Sequence, residues 1–172
     1  MRFKVLGKQY NSDRCFVCGM LNDAGVKAEF FNCVNEAGEH VVVTRIIPST
    51  KHQSYPNRMH GGVISALLDE SIGRAVQVDY PDIWSVTIDL NVKFRKPVPL
   101  DRTIYIESKL VELANRYYTG EGRMFCDYDE TLATATGKFF RLAYDAVFTA
   151  DMQGADRLYV TGEVPGFLEI TN

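Results

Sequence analysis

Hydrophobic and polar positions divide the chain into strand-like segments on either side of one long apolar segment. Residues 59–78 are apolar over most of a helical circumference, which is too much for a surface helix and predicts a buried one. The flanking segments are rich in Val, Ile, Thr and Phe, as is typical of β-strands. Six segments are predicted as strands: 26–34, 40–47, 86–95, 103–111, 117–127 and 131–143.

This order of elements predicts the α+β class, with an antiparallel sheet of five to six strands packed around one long central helix. Such a sheet covers only part of the helix, so the remaining apolar face predicts a second copy of the chain. Residues 25–150 are expected to form the main domain. Residues 1–24 are expected to form an N-terminal helix or loop segment, and residues 151–172 a C-terminal extension.

The third element in this order is the predicted helix, and the strand that follows it alternates cleanly. The apolar residues at alternate positions of that strand are predicted to face the core: Val86, Ile88, Leu90, Val92 and Phe94. The residues between them are predicted to face away: Thr87, Asp89, Asn91, Lys93 and Arg95. In a later strand, Gly120 and Gly122 predict a bulge or a close approach of another element.

One stripe of the predicted helix carries small residues and a single acid. Gly62, Ser65, Asp69, Gly73 and Val76 follow one another at steps of three or four residues and therefore share a face. An acid on a buried helix is energetically costly unless a partner or a reaction uses it. Asp69 is therefore a candidate functional residue.

The helix begins with His60-Gly61-Gly62, a turn that leaves backbone N–H groups without helical partners. These donors and the helix dipole suit an oxyanion that develops on a polarised carbonyl. Asp69 lies eight residues beyond Gly61, which is roughly 12 Å along the helix axis. An attacking group must approach the reacting carbon to about 3 Å. If both groups serve one substrate atom, the spacing predicts a site shared by two antiparallel helices of a dimer.

Composition and charge narrow the function classes. The 172 residues carry a formal net charge of −3, which argues against a chain-wide basic surface for nucleic acid. No apolar run is long enough to span a bilayer, and the N-terminus lacks the apolar core of a secretory signal. The sequence predicts a cytoplasmic protein that binds neither nucleic acid nor membrane.

The cysteines leave three interpretations open. Cys15 and Cys18 form a CxxC motif, but no second CxxC or histidine pair completes a zinc site at the usual spacing. The polar segment before the motif is unlike the strand that precedes a thioredoxin-type pair. Structural thiols are therefore favoured over a metal half-site or a redox pair. Cys33 and Cys126 lie in predicted strands and are expected to be core residues.

Four motifs together resemble the hotdog-fold acyl-CoA thioesterases, specifically the phenylacetate-pathway type with an HGG motif. The resemblance in element order extends from about residue 25 to 148 and implies a hotdog fold. The motifs are Cys-Phe-Val-Cys-Gly-Met-Leu-Asn at 15–22, Met-His-Gly-Gly-Val at 59–63 with Leu-Leu-Asp at 67–69, Val-Thr-Ile-Asp-Leu-Asn-Val at 86–92, and Phe-Arg-Lys-Pro-Val at 94–98.

The resemblance implies hydrolysis of an acyl-CoA thioester to a free acid and CoA. It makes Asp69 the catalytic carboxylate, as general base or nucleophile, and Thr87 the residue that helps hold the attacking water. The amide of Gly61 or Gly62 is the implied oxyanion donor. His60 and Asn57 are implied to lie near the thioester, and Ser65 is expected to line the acyl pocket. The implied CoA nucleotide site consists of Arg95, Lys96, Pro97, Asn115 and Arg116, in which Arg and Lys suit phosphates.

The same resemblance implies no metal and no cofactor, since CoA is part of the substrate, and a homodimer or a dimer of dimers. Two other functions remain open. A non-catalytic acyl-CoA-binding module or sensor on this fold would keep the phosphate-binding positions without needing Asp69. A hotdog dehydratase or hydratase would want an Asp-x4-His motif, or a His/Glu pair with the acid further along the helix. Asp69 is not followed by a histidine at that spacing.

Overall fold

A computed structural model describes residues 1–127, 130–147 and 156–170. The helices are α1 (Gly61–Gly73) and the short α2 (Tyr144–Val147), and single 3₁₀ segments cover Thr50–His52 and Arg74–Val78. Within these residues, no helix is both long and apolar enough to cross a membrane. The strands are β1 (Arg2–Lys8), β2 (Glu29–Val34), β3 (His40–Ile46), β4 (Trp84–Phe94), β5 (Ile104–Leu113), β6 (Tyr117–Phe125), β7 (Thr131–Leu142) and β8 (Phe167–Glu169).

The strands form one antiparallel sheet in the order β4-β7-β6-β5-β3-β2-β1-β8, so β4 and β8 lie at its edges. Helix α1 lies on one face of this sheet, where its buried side chains join the largest apolar cluster. The predicted α+β architecture, an antiparallel sheet around one long helix, is therefore confirmed. The six predicted strands are present, and two further strands extend the sheet at one side.

The two additional strands come from the ends of the chain. Residues 2–8, expected to lie in a helix or loop segment, form β1 and pair with both β2 and β8. Phe3 and Leu168 are paired in register, and both side chains are buried in a second apolar cluster with Phe31 and Val43. Since Phe30 and Val42 belong to the cluster around α1, this second cluster covers the opposite face of the sheet.

Helix α1 comes unusually close to the sheet because glycines face it. A Cβ added to Gly120 would lie 2.7 Å from Ile72 Cγ2, and one added to Gly122 would lie 3.0 Å from Ile72 Cγ1. Both distances are shorter than van der Waals contact between carbon atoms. The close approach predicted from these two glycines is therefore confirmed, and it seats Ile72 directly on β6.

The C-terminal end of α1 is fixed by a buried tyrosine that the sequence analysis did not single out. Tyr118 is fully buried on β6, and its hydroxyl donates a hydrogen bond to the carbonyl of Gly73 at 2.6 Å. The same oxygen lies 2.6 Å from the hydroxyl of Ser85 on β4, and its ring stacks on Phe139 of β7. Burial raises the pKa of Tyr118 to about 12, so its hydroxyl keeps its proton. One side chain thus joins α1, β4 and β6.

The predicted facing of β4 is correct for part of its second half and wrong in its first. Thr87 pairs with Phe139, whereas Asp89 pairs with Lys138, so the pairing shifts by one residue at Ile88. Such a bulge reverses the alternation of faces. Beyond it, Leu90 and Val92 pack against the main core as predicted, whereas Phe94, which was also expected in the core, is 56% exposed. Before it, the face of Thr87 turns toward α1. Val86 and Ile88, which were expected in the core, are 48% and 55% exposed.

Candidate functional site

The centre of the candidate site is a hydrogen bond between α1 and β4. Thr87 Oγ1 donates to Asp69 Oδ1 at 2.7 Å. The β-bulge at Ile88 makes this contact possible, because without it Thr87 would face away from the helix. The structure therefore brings together the acid and the strand hydroxyl that the sequence motifs single out.

The surroundings of Asp69 make its carboxyl a weaker acid than an exposed aspartate. Partial burial raises the pKa of the Asp69 carboxyl above its usual range, and the neighbouring negative charge of Glu70 raises it further. The hydrogen bond from Thr87 acts in the opposite direction, because it stabilises the charged carboxylate. A carboxylate with a raised pKa is a stronger base than one in water, which suits proton abstraction from a water molecule.

Asp69 and Thr87 line a cavity of about 190 Å³ between the end of α1 and the start of β4. Several residues that line it were not found by sequence reasoning, among them Tyr10 from the N-terminal segment. Ser85 also lines the cavity; in the sequence, only its position two residues before Thr87, on the same face of the strand, pointed to it. Other lining residues are Gly73, Gln77, Trp84 and Phe139.

The N-terminus of α1 is capped by the histidine of the HGG turn. His60 is the N-cap residue, and its Nδ1 accepts the hydrogen bond from the amide of Gly62 at 2.9 Å. The imidazole thus supports the turn and occupies one of the two candidate oxyanion donors. In the described part of the chain, the amide of Gly61 has no hydrogen-bond partner. Of the two predicted amides, Gly61 is the one available to a ligand.

Within one chain, this free amide and Asp69 belong to different parts of the helix. An added Cβ on Gly61 would lie 3.6 Å from the ring of Phe94, at the end of β4, whereas Asp69 contacts Thr87 near the start of that strand. Helix α1 therefore runs antiparallel to β4. The eight-residue separation corresponds to roughly 12 Å along the axis, so the two groups of one chain do not meet at one atom.

Two further predicted residues lie on the side of the helix N-terminus. Ser65 is half-buried, and its hydroxyl donates to the carbonyl of Gly61 at 3.0 Å. Asn57 is exposed in the preceding loop with a positive φ of 55°, and its side-chain oxygen accepts from the amide of Leu100 at 3.4 Å. Neither residue lines the cavity beside Asp69.

The predicted CoA-binding positions form two exposed groups at opposite ends of the sheet. Arg95, Lys96 and Pro97 follow the end of β4, next to Ala133 of β7. Asn115 and Arg116 form the turn before β6, next to Phe140 of β7. Ala133 and Phe140 are seven residues apart, which is roughly 23 Å along a strand. A single chain does not bring the two groups together.

The local contacts of these basic residues also differ. Arg95 lies on the outer face of the sheet, where it lines a second cavity of about 680 Å³. Lys96 forms an exposed ion pair with Glu130 at 2.6 Å. Arg116 is exposed, and its carbonyl accepts from the amide of Arg141 at 2.9 Å.

Glu70 and Arg74, four residues apart near the end of α1, form an ion pair that is more buried than an ordinary surface pair. The two side chains meet at 2.7 Å, and only 15% of the Arg74 side chain is exposed. Arg74 also donates to the carbonyl of Tyr10 at 2.9 Å, and its guanidinium lies 4.1 Å from the ring centroid of Phe30. The pair therefore fastens the N-terminal segment to the end of α1, beside the cavity.

Known proteins are similar to this chain over the residues of the candidate site. The family model of the thioesterase superfamily matches residues 57–133, a range that includes the HGG turn, Asp69 and Thr87. Over this range the chain is similar to the thioesterase superfamily, and its fold is the hotdog fold. A curated relative, the acyl-coenzyme A thioesterase THEM4 of Rattus norvegicus, is 26% identical over 129 residues, which are 74% of this chain and 54% of that protein. The chain thus spans about half the length of this relative.

Solved structures share the hotdog fold. The BH2602 protein of Bacillus halodurans, whose crystal structure contains CoA, is 30% identical, with a TM-score of 0.53 over 58% of this chain and 66% of that chain. The PaaI protein from the phenylacetic acid degradation operon of E. coli is 14% identical, with a TM-score of 0.59 over 69% of this chain and 81% of that chain. At that identity the likeness to PaaI concerns the fold alone.

Proposed function

We propose that this hotdog domain hydrolyses an acyl-CoA thioester to a free acid and CoA. The observation that carries the proposal is the carboxylate of Asp69 on the wall of a cavity. It accepts a hydrogen bond from Thr87 at 2.7 Å, and its pKa is raised. The match to the thioesterase superfamily, the relative named as an acyl-CoA thioesterase and the CoA in the BH2602 crystal structure support the substrate class.

In the proposed reaction, a water molecule attacks the carbonyl carbon of the thioester. Asp69 removes a proton from that water, or it attacks the carbonyl carbon first and the water then hydrolyses the resulting anhydride. In both routes Thr87 keeps the carboxylate in place. A backbone amide at the N-terminus of α1 stabilises the oxyanion, and the free amide of Gly61 is the candidate donor. The C–S bond breaks, and CoA leaves as a thiolate that takes up a proton from Asp69 or from solvent. Protein groups alone perform these steps, with CoA entering as part of the substrate.

The proposed site takes its two halves from two chains. One chain cannot apply Asp69 and the amide of Gly61 to the same carbonyl, because they are separated by roughly 12 Å along α1. In a homodimer with antiparallel α1 helices, the helix N-terminus of each copy approaches the acid of the other. The edge strand β4, where Val86 and Ile88 are 48% and 55% exposed, offers an apolar surface for such pairing.

The same pairing accounts for the two separated groups of CoA-binding candidates. When two β4 strands run antiparallel, the end of one lies beside the start of the other. The segment 95–97 of one copy then approaches the turn at Asn115 and Arg116 of the other. We propose that the phosphates of CoA bind between these segments, to which Arg and Lys supply the positive charge.

A thiol-release assay with a panel of short, medium and aryl acyl-CoA substrates tests the proposal. Asp69→Asn keeps the shape of the side chain and its capacity to accept from Thr87, but it removes the base. We expect kcat to fall by about 100-fold or more, in line with the usual contribution of a general base. The matched control is Asp82→Asn, which changes an exposed acid in the turn after α1 and should leave kcat unchanged.

Two outcomes would sink the proposal. One is the absence of thiol release from every substrate in the panel, and tight CoA-ester binding without turnover would then favour a binding module or sensor. The other is turnover by Asp69→Asn at the wild-type rate, which would remove the acid from the mechanism.

A further inference from the structure

The CxxC motif forms a compact cluster beside the candidate site. The sulfur atoms of Cys15 and Cys18 and a carboxylate oxygen of Glu70 all lie within 4.8 Å of one another. Cys15 is half-buried, whereas Cys18 is buried. Arg74 closes the cluster, because its Nη2 lies 3.4 Å from Cys18 Sγ and 2.7 Å from Glu70 Oε1. The proposed hydrolysis uses neither thiol.

The backbone of the motif is a tight turn that holds the two thiols on one side. The amide of Gly19 donates to the carbonyl of Cys15 at 2.8 Å, and a Cβ at Gly19 would lie only 2.3 Å from that carbonyl oxygen. Only glycine therefore fits this turn. The sulfur of Cys15 accepts hydrogen bonds from the amides of Val17 and Cys18 at 3.3 and 3.4 Å. Backbone donors aimed at a sulfur stabilise its thiolate form.

The two thiols differ in acidity, as an attacking and a resolving cysteine do. A hydrogen bond from the Cys18 thiol lowers the pKa of Cys15 to about 7, against the opposing effect of burial. The pKa of Cys18 is raised, first by that hydrogen bond and then by burial. A thiol with a pKa near the ambient pH is a favourable nucleophile in disulfide exchange.

A metal half-site fits the cluster less well. In the part of the chain that the structure describes, only three candidate ligand atoms meet here, whereas a structural zinc site needs four. The guanidinium of Arg74 already donates to Glu70 and to the sulfur of Cys18. A second, divalent cation between the same groups would be repelled by this fixed positive charge.

We propose that Cys15 and Cys18 are a reversible dithiol site that reacts with small disulfides, such as the oxidised forms of low-molecular-weight thiols. The thiolate of Cys15 attacks one sulfur of the small disulfide, whose S–S bond breaks and releases one small thiolate. Cys18 then loses its proton to solvent, and Arg74 stabilises the resulting thiolate. That thiolate attacks the sulfur of Cys15, and the second small thiolate leaves. Two protein thiols are oxidised to one disulfide, and the small disulfide is reduced to two thiols.

The experiment treats the full reduced chain with a graded ratio of reduced to oxidised glutathione, under native conditions, and maps the thiols by mass spectrometry. We expect a single Cys15–Cys18 disulfide, with the loss of two hydrogen masses, and full reversal by excess reduced glutathione. In Cys18→Ser, the glutathione adduct should accumulate on Cys15. In Cys15→Ser, the buried Cys18 should carry at least tenfold less glutathione adduct than Cys15 carries in Cys18→Ser. Cys126→Ser, the matched control, should form the disulfide as the wild type does.

Three results would overturn the proposal. The first is a native chain whose Cys15 and Cys18 stay reduced under oxidising ratios while its unfolded form oxidises readily. The second is equal adduct formation in the Cys15→Ser and Cys18→Ser variants. The third is stoichiometric zinc in the purified protein that protects both thiols, which would establish the metal site instead. All three readouts are independent of thioesterase activity.

Discussion

At the scale of single residues, the acidity of Asp69 depends on two contacts with opposite effects. Burial and the charge of Glu70 raise the pKa of Asp69, and the hydrogen bond from Thr87 lowers it. The proposed chemistry needs the ionised carboxylate, so activity should be present above this pKa and should be lost as the pH falls through it. The raised value places this loss at a higher pH than for an ordinary aspartate.

The substitution Thr87→Val tests this balance. It removes the hydrogen bond that stabilises the carboxylate, so the pKa of Asp69 should rise further and the acid limb of the kcat/KM profile should move to higher pH. The measurement is kcat/KM across the acid range. Thr134→Val, on the outer face of β7 beside the second cavity, is the control and should keep the wild-type limb. An unmoved limb in Thr87→Val, or one displaced to lower pH, would contradict the assigned role of Thr87.

The pairing of Asp69 with Thr87 could be anticipated from sequence motifs, but its geometry could not. The alternation around Thr87 places it on the polar face of its strand, away from the helix. A bulge at Ile88 reverses that face, and it becomes visible only from the register of β4 against β7. Cross-strand register depends on distant residues, so a local pattern cannot report it. The depth of the Glu70–Arg74 pair likewise depends on Tyr10 and Cys18, which are remote in sequence.

At the scale of elements, the close packing of α1 on β6 depends on two glycines, Gly120 and Gly122, which have no side chains. Ile72 is fully buried, and it occupies the space that a Cβ at Gly120 or Gly122 would fill. The added Cβ at Gly120 would also lie 3.0 Å from the backbone carbonyl oxygen of Lys109, which cannot rotate away as a side chain can. Helix and strand would have to separate.

We therefore expect Gly120→Ala to lower the free energy of unfolding by about 1–3 kcal/mol, the usual range for overpacking a core. Urea unfolding measures the change. Gly7→Ala on β1 is the matched control, because nothing lies within 4 Å of a Cβ at that position. Its effect should stay within about 0.5 kcal/mol. Equal stabilities of the two variants would show that α1 does not pack on β6 as closely as the distances indicate.

The central elements were predictable because their patterns are long, whereas the peripheral strands were not. The helix and six strands follow from segments of nine or more residues except for the 40–47 strand, and the glycines of β6 correctly indicated a close approach. The strand β8 has only three residues, and β1 mixes charged residues with Phe3 and Val5 and ends with a bulge near Gly7. Each is stabilised by pairing with the other end of the chain, a contact that no local window contains.

At the scale of the whole molecule, the proposed site requires two chains, and this can be tested without seeing the dimer. Proline at Gly61 would delete the free amide and little else. Gly61 is the first residue of α1, where proline is well tolerated, and His60 before it has the extended conformation that a following proline requires (φ −66°, ψ 137°). Gly61→Ala, the control, keeps the amide and places its Cβ 3.6 Å from Phe94, an ordinary contact.

Asp69→Asn and Gly61→Pro should each be nearly inactive as pure proteins, because each damages both sites of its homodimer. In a mixed dimer, one site combines both defects, whereas the other combines the intact Asp69 of one chain with the intact Gly61 amide of the other. Random exchange of subunits makes half of the dimers mixed, with one working site of two, so about a quarter of the wild-type activity should return. A mixture of Asp69→Asn with Gly61→Ala keeps the amide everywhere and should give about half. If each site lay within a single chain, mixing Asp69→Asn with Gly61→Pro would restore nothing, and the composite site would have to be abandoned.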